Sequence, residues 1–193
     1  MASIALTRWR TVGLARLAEL EAIHAQVAGG GPGRKWGTAQ LNQSLFVALV
    51  AQFQSFTRAL HDAAIDVHVS AAVVAQRSLV KSLLVQGRKL DNQNPRRAAL
   101  GSDFGRLGFS FVDDLKNAGV GADLDALEEL VDYRNAIGHG DEGRLAAIEA
   151  RGRIKATKKS YLEYRRTIDR LAGTMDDVVA SRLTALLGIS RPW

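Results

Sequence analysis

Residues 38–67 read TAQLNQSLFVALVAQFQSFTRALHDAAIDV, and they carry the strongest indication of the fold class. Its apolar residues recur at every third or fourth position: Leu41, Leu45, Leu49, Phe53, Phe56, Leu60, Ala63 and Val67. That spacing places them along one face of a continuous helix. The stretch therefore predicts a long amphipathic helix whose apolar face is turned toward a core.

The same helical period recurs on both sides of this stretch. It predicts a first helix over about residues 3–27, a third over 69–86, a fourth that begins near Asp123, and a C-terminal helix over about 157–187. Glycines and a proline at 29–33 are expected to end the first helix. No strand-like alternation bounded by hairpin turns is found in the sequence. We expect an all-α, up-and-down bundle of four to five main helices that forms a single domain over residues 1–193.

Composition narrows the class of protein further. The chain has 193 residues and no cysteine, which excludes disulfides, thiolate nucleophiles and cysteine-ligated zinc. No apolar run approaches the roughly 20 residues that cross a bilayer, and the N-terminal residues do not resemble a signal peptide. We therefore expect a cytoplasmic protein with no membrane contact. Its net charge of +6 favours a polyanionic partner such as a nucleic acid.

The segment 87–108 departs from the helical pattern. It holds two asparagines, a proline and several glycines, and five basic residues against two acidic ones. It therefore predicts a long basic loop, and long loops inside compact domains are often functional. Two interpretations remain open, a solvated connector and a basic flap over a binding cleft.

Residues 130–140, LVDYRNAIGHG, bring together side chains that suit phosphate chemistry. Arg134 supplies a planar fork for phosphate, His139 a proton carrier, and the Asn135 amide can orient the imidazole. Asn135 and His139 are four residues apart and share a helix face, whereas Arg134 and His139 are separated by about 140°. An alternative is purely structural, because Gly-His-Gly is also typical of a helix C-terminus. The sequence contains no common nucleotide-loop, zinc-protease or serine-hydrolase motif, so no cofactor or metal is expected.

The pattern Arg134-Asn135-x-x-x-His139, at the end of an apolar and acidic helix in an all-helical chain, resembles the signature of the HEPN superfamily (higher eukaryotes and prokaryotes nucleotide-binding domain). That signature is an arginine and a histidine with four to six residues between them, often with an asparagine directly after the arginine. The strict match covers about ten residues, and the predicted bundle covers most of the chain.

The resemblance implies a metal-independent endoribonuclease that acts as a homodimer, with the motifs of two copies meeting in a shared cleft. His139 would be the general base or acid at the ribose 2′-hydroxyl, Arg134 would bind the scissile phosphate, and Asn135 would orient His139 or the phosphate. Many relatives are toxins paired with an antitoxin protein, or act in phage defence. Others are catalytically silent, so a non-catalytic RNA- or protein-binding dimer module is the alternative. In one subgroup a tyrosine two residues after the histidine is modified by the antitoxin; Asp141 stands there in this chain.

Basic residues elsewhere are weaker candidates for substrate binding. Arg58 and His61 lie one turn apart on a second stripe of the long helix, where they would either back the cleft or contact another helix. Arg96 and Arg97 belong to the predicted loop.

The segment 144–170 has nine basic residues against three acidic ones. Its Lys158 and Lys159 are candidates to contact an RNA backbone. Tyr161 and Tyr164 in the same segment either stack on bases or, more in keeping with their helical spacing, belong to the core.

Overall fold

The computed structural model describes residues 1–28, 37–152 and 154–193. Within these ranges the regular secondary structure is helical and contains no β-strand, which confirms the prediction of an all-α bundle. The α-helices are α1 (Ile4–Arg8), α2 (Leu14–Ala28), α3 (Gly37–Ala71), α4 (Arg77–Val85), α5 (Arg97–Gly105), α6 (Phe111–Asn117), α7 (Gly121–His139), α8 (Glu142–Ala150) and α9 (Lys158–Leu187). A π-helical turn, Trp9–Gly13, joins α1 to α2.

Helix α3 is the centre of the fold. It packs against α1, α2, α4, α7 and α9. The predicted apolar stripe is turned inward, since Leu45, Leu49, Phe53 and Leu60 are all buried. Burial of such side chains contributes roughly 1.5–3 kcal/mol each, so this face accounts for much of the stability of the bundle.

Three tyrosines surround the Phe46 ring on α3. The ring of Phe46 meets those of Tyr133, Tyr161 and Tyr164 edge-on, at centroid distances of 5.2, 5.8 and 6.1 Å. Each hydroxyl donates a hydrogen bond to a carboxylate, for example Tyr161 to Glu21 at 2.9 Å. Tyr161 and Tyr164 are therefore core residues, and their rings are not available to stack on bases.

The prediction of a long loop over residues 87–108 is wrong. The segment holds a 3-10 turn, Lys89–Asp91, and the helix α5. Leu90, Leu100 and Phe104 are completely buried in the core. The buried Asp103 carboxylate accepts hydrogen bonds from the backbone N–H groups of Lys89 (3.0 Å) and Leu90 (2.7 Å). Asparagine, proline and glycine mark turns at the ends of these short elements, but the segment as a whole is neither a solvated connector nor a free flap.

Other boundaries differ from the sequence prediction as well. The helix predicted over 69–86 is divided, because α3 continues through Ala71 and α4 begins only at Arg77. Helices α6 and α8 were not predicted. The expected break at 29–33 and the basic residue at position 153 lie outside the described residues. Among the helices that the structure describes, none combines the length and the apolar character needed to span a membrane.

Candidate functional site

The Arg-Asn-x-x-x-His motif lies in the last two turns of α7. The helix continues through His139, its last residue, and Gly140 ends it in the left-handed conformation with φ of 64°. The N–H of Asp141 donates to the carbonyl of Ala136 at 3.0 Å, which closes the end of the helix. The His139 side chain is exposed and forms no hydrogen bond with another described residue. Its position thus matches both interpretations of the sequence, a helix end and an accessible proton carrier.

The acidic side chains of α7 are all engaged by partners from other elements. The contacts are Asp123 with Arg170, Asp125 with Arg97, Glu128 with Arg96, Glu129 with the Tyr164 hydroxyl, and Asp132 with both Arg96 and Arg144. These contacts offset the negative charge that α7 carries ahead of the motif. A helix that is acidic in sequence therefore does not present five free carboxylates to an approaching polyanion.

Arg134 differs from these arginines. It is partly buried and forms no ion pair with any carboxylate in the described part of the chain. Its Nη1 donates to Oδ1 of Asn135 at 3.2 Å and lies 4.0 Å from where a Cβ would stand on Gly138. The guanidinium therefore extends toward the C-terminal end of α7, the end that carries His139. Since arginine stays protonated in proteins, this is a fixed positive charge without an internal counterion.

Asn135 connects the motif to the segment that precedes α5. Its Oδ1 accepts a second hydrogen bond, from Nδ2 of Asn94, at 2.9 Å. Asn135 thus holds the Arg134 guanidinium and the Asn94 amide together. The described contacts include no hydrogen bond from Asn135 to His139, so Asn135 does not orient the imidazole in this conformation.

A polar cleft of about 410 Å³ opens beside Arg134. Its walls come from three parts of the chain that are distant in sequence: α3, the segment before α5, and α7. The lining residues are Gln54, Asn92, Gln93, Asn94, Arg96 and Arg134. Carboxamide and guanidinium groups dominate this lining, which contains no carboxylate and no aromatic ring.

Three of the weaker candidates are cations already engaged in ion pairs. Arg58 contacts Asp91 at 2.9 Å, Arg96 contacts Glu128 at 3.1 Å and Asp132 at 2.5 Å, and Arg97 pairs with Asp125. Only Arg96 among them lines the cleft. The prediction that Arg58 and Arg97 bind substrate stays a prediction, and it would require phosphate to compete with a carboxylate.

His61 does not lie at the surface, and the expectation that it contacts substrate is wrong. Its ring is completely buried, with Nε2 3.0 Å from the carbonyl oxygen of Asp103 and the Phe104 ring packed edge-on at 5.1 Å. Burial, aided by the positive charge of the neighbouring Arg88, lowers the pKa of His61 below its ordinary value. His61 therefore supports the core beneath α5 as a neutral ring.

Lys158 and Lys159 begin α9 near the other end of α3. Nζ of Lys158 lies 3.5 Å from the carbonyl oxygen of Glu21, and Lys159 is exposed. The carbonyl of Ala156, just before this helix, accepts a hydrogen bond from Asn42. Asn42 and Gln54 are separated by about 18 Å along α3, since a helix rises 1.5 Å per residue. These lysines therefore lie at the Asn42 end of α3, and the structure does not group them with the cleft-lining residues.

Comparison with known proteins does not place the chain in a family. No family model matches the chain, and neither a curated protein nor a solved structure matches it significantly. The resemblance to HEPN domains consequently depends on the α7 motif and the all-α fold. Within the described ranges, no group of three or more histidine, aspartate or glutamate side chains is arranged to hold a metal ion.

Proposed function

We propose that this protein is a cytoplasmic, metal-independent endoribonuclease of HEPN type that acts as a homodimer. The observation that carries the proposal is the unneutralised Arg134 guanidinium, which lies at a polar cleft and extends toward the helix end that bears the exposed His139. A fixed cation and an accessible imidazole at the same end of a helix are groups that transesterification of RNA can use. By the same resemblance, we propose a role as a toxin or phage-defence effector, with an antitoxin protein as a possible partner class.

The chemistry follows from these two groups. His139 removes the proton of a ribose 2′-hydroxyl, and the 2′-oxygen forms a bond to the adjacent phosphorus. Arg134 stabilises the added negative charge on the pentacoordinate phosphate through charge-assisted hydrogen bonds. The bond from phosphorus to the 5′-oxygen breaks, and that oxygen takes up a proton. The products are a 2′,3′-cyclic phosphate and a 5′-hydroxyl.

A second copy of the chain completes this scheme. One imidazole cannot act as base and acid in the same step, because the base must be neutral and the acid protonated. His139 is also the only histidine within the motif. We therefore propose that the partner copy supplies the second His139, so that both motifs face one phosphate.

RNA cleavage tests the proposal directly. The purified protein should cut RNA in the presence of EDTA and leave 2′,3′-cyclic phosphate ends. His139→Ala and Arg134→Ala should each lower the rate by at least about a hundredfold, the range typical of lost acid–base or oxyanion contacts. Arg8→Ala is the matched control, because Arg8 is exposed on α1 and forms no ion pair with a described residue. Sedimentation should show a dimer for all variants. An inactive wild-type protein, or a fully active His139→Ala variant, would exclude the nuclease.

One observation favours the alternative, a non-catalytic RNA- or protein-binding dimer module. The exposed His139 side chain forms no hydrogen bond with Arg134, Asn135 or any other described residue, so no described group holds its ring in a catalytic position. In that case RNA binding should weaken steeply with salt, and no cyclic phosphate should form.

A further inference from the structure

Helix α4 leaves its apolar side chains in solvent. None of its nine residues is buried, and Leu79 and Leu83 expose 62% and 60% of their surface. Val73 and Val74, just before the helix, expose 68% and 74%. We call these four residues the α4 patch. A cluster of exposed apolar side chains typically marks a contact with another molecule.

The two leucines of the α4 patch point away from the bundle. Lys81, which lies between them in sequence, reaches Asp66 on α3, with Nζ 3.5 Å from the carboxylate. Residues two positions apart lie about 160° apart around a helix. Because Lys81 is turned toward α3, Leu79 and Leu83 are turned to the other side, one helical turn apart. They form an apolar ridge onto which another helix can pack.

Cations without an acidic partner lie at both ends of this ridge. Arg77 donates from Nη2 to the carbonyl of Ser70 at 3.0 Å, at the start of α4. Arg106 donates from Nη2 to the carbonyl of Gly87 at 3.1 Å, just past the end of α4. These two arginines and the exposed Lys89 form no ion pair with a carboxylate in the described part of the chain.

The carboxylates on the adjacent part of α3 do not offset this charge, because each already has a cation. Asp62 pairs with Arg88, and Asp66 pairs with Lys81. The charge that remains free around the α4 patch is therefore positive, and a complementary partner is acidic.

We infer that the α4 patch is the docking surface for an acidic amphipathic helix of another protein. The apolar stripe of that helix covers Leu79 and Leu83. Its carboxylates lie beside the stripe and reach Arg77 at one end and Arg106 at the other. These ends are about 14 Å apart, since nine residues of helix separate them. The inference goes beyond the proposed nuclease and does not depend on it.

Two other occupants fit the α4 patch less well. If two copies of the chain paired through α4 about a two-fold axis, Arg77 would meet Arg77 of the other copy in a parallel arrangement and Arg106 in an antiparallel one. Such like-charge contacts disfavour binding. Amphipathic helices that lie on membranes commonly use tryptophan or phenylalanine, and residues 72–91 contain no aromatic side chain.

A designed peptide tests the inference on the full-length protein. The probe is a fluorescein-labelled helical peptide of about 16 residues, with leucines along one face and glutamates beside them. In the comparison peptide, lysine replaces each glutamate. Fluorescence anisotropy should show binding of the glutamate peptide only, with an affinity that falls as the salt concentration rises. Amide hydrogen exchange should show new protection within residues 73–86.

Substitutions in the α4 patch should remove this binding. Leu79→Ser combined with Leu83→Ser should weaken it at least about tenfold, because the burial of two leucine side chains is lost. Ile4→Ser is the matched control, because Ile4 is an apolar residue of α1 that is 81% exposed. Its affinity for the glutamate peptide should equal that of the wild type.

Several outcomes overturn the inference. They are no binding of the glutamate peptide, equal binding of both peptides, and binding that survives the two leucine substitutions. Self-association in sedimentation that these substitutions abolish would instead assign the α4 patch to a second copy of the chain. Binding to phosphatidylserine vesicles that they abolish would assign it to a membrane. RNA cleavage is measured separately, so the nuclease proposal stands or fails independently.

Discussion

Asn94, in the segment before α5, donates a hydrogen bond of 2.9 Å to Asn135 on α7, which is 41 residues further along the chain. This contact joins two walls of the polar cleft at the point where the Arg-Asn-x-x-x-His motif begins. The same Asn135 oxygen also accepts from Arg134. The position of the guanidinium thus depends on a residue outside the motif.

Removing the Asn94 amide should therefore affect both stability and cleavage. We expect Asn94→Ala to lower the free energy of unfolding by about 1 kcal/mol, the usual contribution of one hydrogen bond. Asn94→Asp should lower it further, because a carboxylate replaces the donor opposite Oδ1 of Asn135. Urea denaturation measures the stability, and RNA cleavage should fall in the same order. Asn117→Ala, at an exposed asparagine on α6, serves as control. Ala and Asp variants that are both as stable as the wild type would show that the contact contributes nothing.

Asp103 holds the 3-10 turn against α5. Its carboxylate is completely buried and accepts from two backbone N–H groups, those of Lys89 and Leu90. Asp103→Ala leaves both donors without a partner, and we expect a loss of about 3 kcal/mol in urea denaturation. Asp103→Asn keeps one acceptor and should lose less. Asp113→Ala removes only an exposed pair with Lys116 and should change stability by less than about 1 kcal/mol.

Stability should fall as the pH is lowered from 7 to 5.5. Burial lowers the pKa of both His61 and His68 in the folded state from the ordinary value of 6.5. The unfolded chain then binds more protons than the folded one below that value. The stabilisation from each neutral ring is therefore complete above pH 6.5 and is lost as the pH falls toward the folded-state pKa.

Each histidine contributes at most about 1.4 kcal/mol per pH unit to this slope. Urea denaturation at a series of pH values measures the slope of the free energy of unfolding against pH. His61→Gln should remove the contribution of the His61 ring to this slope. Asn117→Ala, at an exposed residue that does not titrate between pH 5.5 and 7, should leave the slope unchanged. A slope that is the same in wild type and His61→Gln would contradict a neutral His61 in the core.

Alanine substitutions at the two glycines beside His139 should change the free energy of unfolding in opposite directions. Gly138 is exposed in the last turn of α7, and an added Cβ meets only Arg134 Nη1, at an ordinary distance of 4.0 Å. Gly138→Ala should raise the free energy of unfolding by about 0.5–1 kcal/mol. Gly140 has φ of 64°, so Gly140→Ala should lower it by about 1 kcal/mol. Thermal denaturation distinguishes the two, and a shift of the same sign in both would contradict the described end of α7.

The helices that the sequence predicted best are those with a long, regular apolar period. For α3 and α9 the apolar repeat extends over many turns, so the spacing of neighbouring residues is sufficient to predict these helices. The sequence of segment 87–108 predicts a loop because asparagine, proline, glycine and charged residues are common both in loops and at the ends of short helices. Its burial depends on Leu90, Leu100 and Phe104, which become core residues only when the rest of the bundle surrounds them.

The helical class, and the place of Arg134, Asn135 and His139 near the end of one helix, can be predicted from sequence alone because both follow from the spacing of nearby residues. The folded chain is needed to show which cations are neutralised, that His61 is buried, and that Gln54, Asn92 and Arg134 line one cleft. Ion pairing and burial depend on contacts between residues dozens of positions apart. Helical periodicity does not predict such contacts, because it indicates only on which face of its helix a side chain lies. It does not indicate which other element packs against that face.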